Sequence, residues 1–226
     1  MTLIADNLHQ VRARITQACQ QAGRATDAVA LLAVSKTFGP DAVREAFAAG
    51  QTAFGENYIQ EAVDKIAALQ DLALQWHCIG PIQSNKTRLV AQHFDWVHSV
   101  DRLKIAQRLS EQRPPEMAPL QVCIQVNIDG GSTKAGVVPA DALALARAVA
   151  ALPRLRLRGI MTIPELAPDF VAACAIHTRA RDLFDALNAE GLALDTLSMG
   201  MTGDMEAAIQ SGSTMVRVGT AIFGGR

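Results

Sequence analysis

The chain has no two cysteines close enough to grip a metal or staple a loop. Its four cysteines, Cys19, Cys78, Cys123 and Cys174, stand far apart and form no C-x-x-C pair. Neither a zinc site nor a disulfide framework is expected, and core thiols in a reducing compartment are. Excess charge is missing too. Twenty-one Lys and Arg against 22 Asp and Glu leave a formal charge of -1, with no long tail of either sign. No global basic field points to nucleic acid. Nor does any apolar run approach the ~20 residues of a membrane helix. The amphipathic start "MTLIADNLHQVRARI" is unlike a secretory signal. A cytoplasmic protein with no membrane or nucleic-acid partner is expected.

What is present is alternation. Half of the residues are hydrophobic, ample for a substantial core. Short apolar or β-branched runs occur at 29–36, 52–57, 75–80, 95–100, 121–127, 156–163, 195–200 and 214–219. Helical patterns separate them, and one more, Leu3 to Ala22, precedes the first. Alternating strands and helices imply βαβ units and a parallel sheet covered on both faces. Eight strands fit a closed (β/α)8 barrel of the TIM type with an extra N-terminal helix. An open doubly wound sheet is the alternative, but no Gly-rich dinucleotide fingerprint follows the first strand. No linker or composition shift divides residues 1–226, and the Pro-rich "EQRPPEMAP" (111–119) reads as a connection, so one domain is expected.

The first strand poses a question. In "VALLAVSKTFGP" six apolar residues lead to Ser35 and Lys36 before Gly39-Pro40 ends the run. A lysine is almost never buried without a partner. Either Lys36 is simply the first residue in water, or it enters a pocket as a nucleophile with a lowered pKa. Barrel chemistry sits at the C-terminal ends of the strands. Those ends carry Lys36, Asn57, Gly80, Ser99, Asn127, Thr162, Ser198 with Gly200, and Arg217 with Gly219. Singly, each has a bland explanation: the asparagines can make caps or turns, and Arg217 can snorkel to solvent.

Two segments suit a phosphate. "SMGMTGDMEAAIQSG" ends a strand at Ser198–Gly200 and is expected to start a helix near Thr202 or Gly203, where free N–H groups attract anions. Asp204 and Glu206 also suit a plain helix start. "VRVGTAIFGGR" places Gly219-Thr220 after the last strand. Barrels often hold phosphate on the loops after strands seven and eight. A lysine facing such a site suggests pyridoxal 5′-phosphate (PLP), which carries an aldehyde and a phosphate together. A phosphosugar aldolase would use the same two features.

Seven ordered blocks then carry a resemblance: "LLAVSKT", "FGENYIQEA", "WHCIGPIQSNK", "HSVDRLKIA", "QVNIDGGSTKAGV", "LRGIMTIP" and "LSMGMTGDMEAAIQSGSTMVRVGTAIFG". Spanning residues 31 to 224, they resemble the pyridoxal phosphate homeostasis protein family (the YggS/PROSC type), related to the amino-terminal barrel of alanine racemase. The resemblance implies that Lys36 forms the internal aldimine and that Arg217 faces the pyridine nitrogen. It places Ser198, Gly200, Thr202, Gly219 and Thr220 near the phosphate, Asn57 in the pocket and Met161 against the ring. The chain departs from the family pattern at Thr202-Gly203, where relatives commonly show "GMSxDM", at Cys78, where a bulkier apolar residue is common, and at Gly131, where many have glutamate.

A protonated arginine beside the ring nitrogen would keep that nitrogen unprotonated and weaken the ring as an electron sink. Racemisation would further need a base opposite Lys36. The one tyrosine, Tyr58, reads as a packing or pocket-edge residue, His77 as a core histidine, and His98 as a residue nearer the rim. The implied function is to hold, buffer and deliver PLP inside the cell, with PLP-dependent apoenzymes as recipients and no dedicated substrate. A fold-type III amino-acid racemase is the alternative. A monomer is expected.

Overall fold

The computed structural model describes residues 3–131 and 135–225. Residues 132–134 of the "NIDGGSTKAGV" block lie outside them. All eight expected strands form: β1 (Ala30–Val34), β2 (Ala53–Glu56), β3 (Gln75–Cys78), β4 (Trp96–Val100), β5 (Leu120–Gln125), β6 (Leu155–Met161), β7 (Thr196–Ser198) and β8 (Met215–Val218). Each runs parallel to the next, and β1 pairs with β8 to close the barrel. An open sheet would have left β1 and β8 unpaired with each other.

Closure explains the unbroken apolar runs. Along a strand, side chains alternate between the barrel interior and the layer beneath the helices, both shielded from water, so consecutive residues can be apolar. In β1, Leu32 and Val34 pack inside with Ile79 and Met215, while Ala33 joins the outer core shared with the helices. The interior elsewhere is unusually polar: His77, His98, Ser198 and Arg217 are all buried.

The surrounding helices are α1 (Leu3–Gln21), α2 (Pro40–Ala48), α3 (Ile59–Ala68), α4 (Thr87–His93), α5 (Leu103–Gln112), α6 (Ala142–Ala150), α7 (Phe170–Ala189), α8 (Met205–Gln210) and α9 (Thr220–Phe223). The extra helix α1 buries Leu8, Val11, Ile15, Ala18 and Cys19, a stripe at three- and four-residue spacing, against α2, α8 and α9. Beside that stripe Arg14 reaches Glu206 at 2.8 Å and the Thr202 carbonyl at 3.2 Å, bracing the segment after β7.

That segment differs from the sequence expectation. Helix α8 begins at Met205, not at Thr202 or Gly203. Asp204 Oδ1 accepts the Met201 N–H at 2.7 Å, and the Asp204 N–H donates to the Met201 carbonyl at 3.2 Å. Residues 201–204 therefore close into a turn of their own, and helix formation starts only after it. No helix among the described residues is long and apolar enough to cross a membrane.

Candidate functional site

A cavity of about 580 Å³ opens at the C-terminal rim of the barrel. Val34 ends β1 in its wall, with Lys36 two residues beyond; Asn57 follows β2 and Ile79 follows β3. Ile163 and Leu166 come from the segment after β6, and Met201, Thr202 and Gly203 from the turn after β7. The end of β8 and its exit add Arg217, Gly219 and Thr220. Lys36, Asn57, Thr202, Arg217, Gly219 and Thr220, each singled out in the sequence, thus share one wall.

Lys36 itself is exposed; Ser35 is the last buried residue of the run. The two readings of Lys36, first residue in water or pocket nucleophile, meet here: the strand stops at Val34, and Lys36 leaves the barrel top, exposed, at the mouth of the cavity. Its free ammonium therefore carries no burial cost.

Arg217 is the opposite case, with 4 % of its surface exposed. The bland reading, a strand-end arginine snorkelling to water, does not hold. Its Nη1 donates to Ser198 Oγ at 2.8 Å and its Nη2 to the Thr162 carbonyl at 2.9 Å. Burial pulls the guanidinium down to about 10, so it is cationic at neutral pH. Both acceptors are neutral, and among the described residues no carboxylate bonds to it. A buried cation so placed favours an electron-rich partner in the cavity it lines.

Ser198, Gly200 and Met161 lie off the cavity wall. Ser198 is buried between Arg217 and His98, whose Nδ1 is 2.9 Å from its hydroxyl. Gly200 is a packing residue: it sits at φ +97, and a Cβ there would stand 2.5 Å from the Ala208 Cβ. Met161 is fully buried with Trp96 and Cys123, and Ile163, two residues on, supplies the apolar wall instead. Asn127 makes the turn its bland reading foresaw, accepting from the Gly130 N–H and donating to the Gly131 carbonyl.

Among the described residues no second base comes into the wall. His77 and His98 are wholly buried in the barrel interior, bonded to each other at 2.9 Å. Burial lowers His77 to about 3 and holds His98 well below its ordinary value, helped by His77 and Arg217. Tyr58 is exposed at the start of α3 and lies outside the wall.

A pyridine ring bearing an aldehyde and a phosphate fits the residues present. The Asn57 amide oxygen is buried and has no hydrogen-bond partner among the described residues. Gly219 admits no side chain freely, since a Cβ would lie 3.1 Å from the Val34 carbonyl oxygen, so the backbone itself forms that edge. The amides of Thr202 and Gly203 have no acceptor among the described residues. The Thr202 and Thr220 hydroxyls meet at 3.3 Å beside them. Wall residues that the sequence did not single out are apolar: Val34, Ile79, Ile163, Leu166 and Met201. Position just beyond a strand end would have found Ile79 and Ile163, whereas nothing in the sequence marks Leu166, which sits on a loop.

The family model for the alanine racemase N-terminal domain matches residues 7–226. The pyridoxal phosphate homeostasis protein of Pseudomonas aeruginosa is 60 % identical over 226 residues, covering 100 % of this chain and 97 % of that one. That of Escherichia coli K12 is 53 % identical over 229 residues, covering 100 % and 98 %. The structure of PipY from Synechococcus elongatus with PLP bound superposes with a TM-score of 0.85 at 38 % identity, covering 98 % of this chain and 100 % of PipY. An alanine racemase of Clostridium difficile shares the fold alone, with a TM-score of 0.74 at 16 % identity; the match covers 98 % of this chain and 57 % of the racemase. With closely similar relatives matched over nearly their whole length, the chain belongs to the pyridoxal phosphate homeostasis protein family.

Proposed function

We propose that this protein binds PLP in the rim cavity and serves PLP homeostasis by holding and releasing the cofactor, without turnover of a dedicated substrate. The observation that carries the reading is the composition of one wall: Lys36, Asn57, Arg217 and the Thr202–Thr220 pair meet there, and among the described residues no second acid or base joins them. The whole chain, 1–226, acts as a single cofactor-binding barrel. PLP supplies an aldehyde that an amine can hold covalently and a ring that can delocalise electrons. Lys36 Nζ holds the aldehyde carbon. Arg217, cationic and fixed by Ser198 and Thr162, directs N–H groups at the ring nitrogen and leaves no proton there. The 201–204 turn and Thr220 take the phosphate, and Ile79 and Ile163 flank the ring and exclude water. The relatives named for PLP homeostasis and the PLP-bound PipY structure support this reading. PLP-dependent apoenzymes are the proposed recipients, and the protein is a monomer.

The test is borohydride reduction of the PLP-loaded protein followed by peptide mass mapping, with α-proton exchange of a panel of amino acids in deuterated water alongside. The expected result is cofactor mass on Lys36, none in Lys36→Ala, and no catalytic exchange. Full reducible loading of Lys36→Ala would overturn the attachment site. Exchange with turnover, abolished in Lys36→Ala, would overturn the non-catalytic reading in favour of a racemase.

A further inference from the structure

Lys36 stands between two residues that are held from outside the cavity. On one side, the Ser35 N–H donates to the Gly55 carbonyl at 3.1 Å, and its hydroxyl donates to Glu56 Oε1 at 2.6 Å. The Ser35 carbonyl accepts from Lys65 Nζ at 2.9 Å. On the other side, the Thr37 N–H donates to Glu61 Oε1 at 2.6 Å. Thr37 sits at φ +68, the left-handed region that a β-branched residue avoids unless something holds it there.

One ammonium joins the two sides. Lys65 Nζ lies 2.6 Å from Glu56 Oε1 and 3.3 Å from Glu61 Oε1, in addition to the Ser35 carbonyl. Its three protons thus have three acceptors, and none is left over. Lys65 and Glu56 are buried, whereas the Glu61 side chain is 37 % exposed. None of the three lines the rim cavity. An ion pair serving only to tie α3 to β2 would have no reason to spend its remaining bonds on residues 35 and 37.

We propose that Glu56, Glu61 and Lys65 are positioning residues for Lys36: they clamp the residues on both sides, so that its side chain leaves the backbone toward the cavity. This rests on the reading of Lys36 as the attachment point. In attachment the neutral Lys36 amine adds to the aldehyde carbon of PLP, a C=N bond replaces C=O, and one water leaves. The rate of such a step depends on how often the amine stands in line with the carbonyl, which the direction of the Lys36 backbone sets. Ring and phosphate are held by other residues, so the clamp bears on attachment and not on non-covalent binding.

Glu61→Ala tests this in the full-length protein, because Glu61 is half-exposed and alanine suits its place in α3. Two quantities are measured: affinity for pyridoxine 5′-phosphate, an alcohol that cannot attach, and the rate at which PLP becomes borohydride-trapped on Lys36. We expect unchanged affinity for the alcohol and attachment slowed about tenfold, the size of one lost charge-assisted hydrogen bond. Glu61→Gln, whose amide oxygen can still accept from Thr37, restores most of the rate. An unchanged attachment rate in Glu61→Ala overturns the clamp, as does a parallel fall in affinity for the alcohol, which would mark a general loss of structure. Failure of the attachment reading is visible separately, as trapped mass on a peptide other than that of Lys36 in the unsubstituted protein.

Discussion

Arg217 Nη1 donates a 2.8 Å hydrogen bond to Ser198 Oγ inside the barrel, and that contact orders every bond behind it. A guanidinium only donates, so Ser198 accepts from it and offers its own proton elsewhere. The remaining neighbour of the hydroxyl is His98 Nδ1 at 2.9 Å. His98 then carries its proton on Nε2 and donates to His77 Nδ1 at 2.9 Å. His77 in turn donates from Nε2 to Gln75 Oε1 at 3.0 Å. The relay runs one way, from a cation at the rim to an amide oxygen on β3, and it needs both imidazoles neutral. An extra proton on His77 would set two donors face to face, and one on His98 would turn the Ser198 proton out of the relay.

The first prediction concerns acid. Burial lowers His77 from 6.5 to about 3 and His98 in the same direction. The unfolded chain therefore takes up these protons at a higher pH than the folded one does. Stability from the neutral relay is fully present above about pH 6.5, declines as pH falls below that, and is lost as pH passes through the lowered folded values. Urea unfolding from pH 8 to pH 4 measures the slope. His77→Gln should flatten it, and nitrogen-15 NMR of the native protein should show both rings as neutral Nε2–H tautomers at neutral pH. A slope unchanged by the substitution would remove the relay as its cause.

Ser198→Ala removes the hydroxyl that joins Arg217 to His98. Both neighbours are buried, so each loses a partner that water cannot replace. A cost of about 1–3 kcal/mol is expected for leaving buried polar groups unsatisfied. Because Ser198 lies off the cavity wall, Ser198→Ala should leave the 201–204 turn, the proposed phosphate site, intact while loosening Arg217. Chemical denaturation gives the first quantity. The nitrogen-15 shift of the ring nitrogen in bound pyridoxine 5′-phosphate reports the second, and no movement there would show that Arg217 does not need Ser198 for its orientation.

The barrel was legible because its signal repeats. Eight apolar runs separated by helical patterns carry the same information eight times, and each boundary error is absorbed by its neighbours. Lys36, Asn57 and Arg217 were legible for a related reason: polar residues at the ends of apolar strands can only gather at one rim. Depth was not legible. The same logic left open whether Lys36, which is exposed, was in water or in a pocket, and allowed Arg217 to reach solvent although it is nearly inaccessible. Met161 and Ile163 are two residues apart on the same strand extension, and which of them reaches the cavity depends on where the barrel interior stops and its mouth begins. Pairings far apart in sequence left no mark either. The bond of Ser198 to His98 spans 100 residues, and that of Lys65 to the Ser35 carbonyl spans 30. Within "FGENYIQEAVDK" the charged Glu56 in a buried strand end, with Glu61 and Lys65 four apart, was the available hint of the clamp.

Asp204 offers the last prediction, because it shapes the turn expected to meet phosphate. Its Oδ1 accepts from the Met201 N–H at 2.7 Å, and its Oδ2 from His177 Nε2 at 3.0 Å. Burial by itself would raise this carboxyl, but His177, the Met201 amide and the nearby Arg217 charge together hold it below its ordinary value. Its contribution is therefore present above the usual carboxylate range and lost only as pH falls through the lowered value. Asp204→Asn keeps the shape but has one amide oxygen where two carboxylate oxygens accepted. If that oxygen keeps the weaker, neutral bond from the Met201 N–H, an NH2 donor faces the His177 Nε2 proton and that second bond is lost. The turn should loosen, and with it the hold on a phosphate at Thr202 and Gly203. We expect Asp204→Asn to weaken pyridoxine 5′-phosphate several-fold at neutral pH while leaving unphosphorylated pyridoxine, bound through its ring alone, unaffected. Calorimetric titration with the two ligands separates the cases. An equal loss for both would mean that Asp204 supports the barrel as a whole, and the phosphate would then have to be held by Gly219 and Thr220 without the turn.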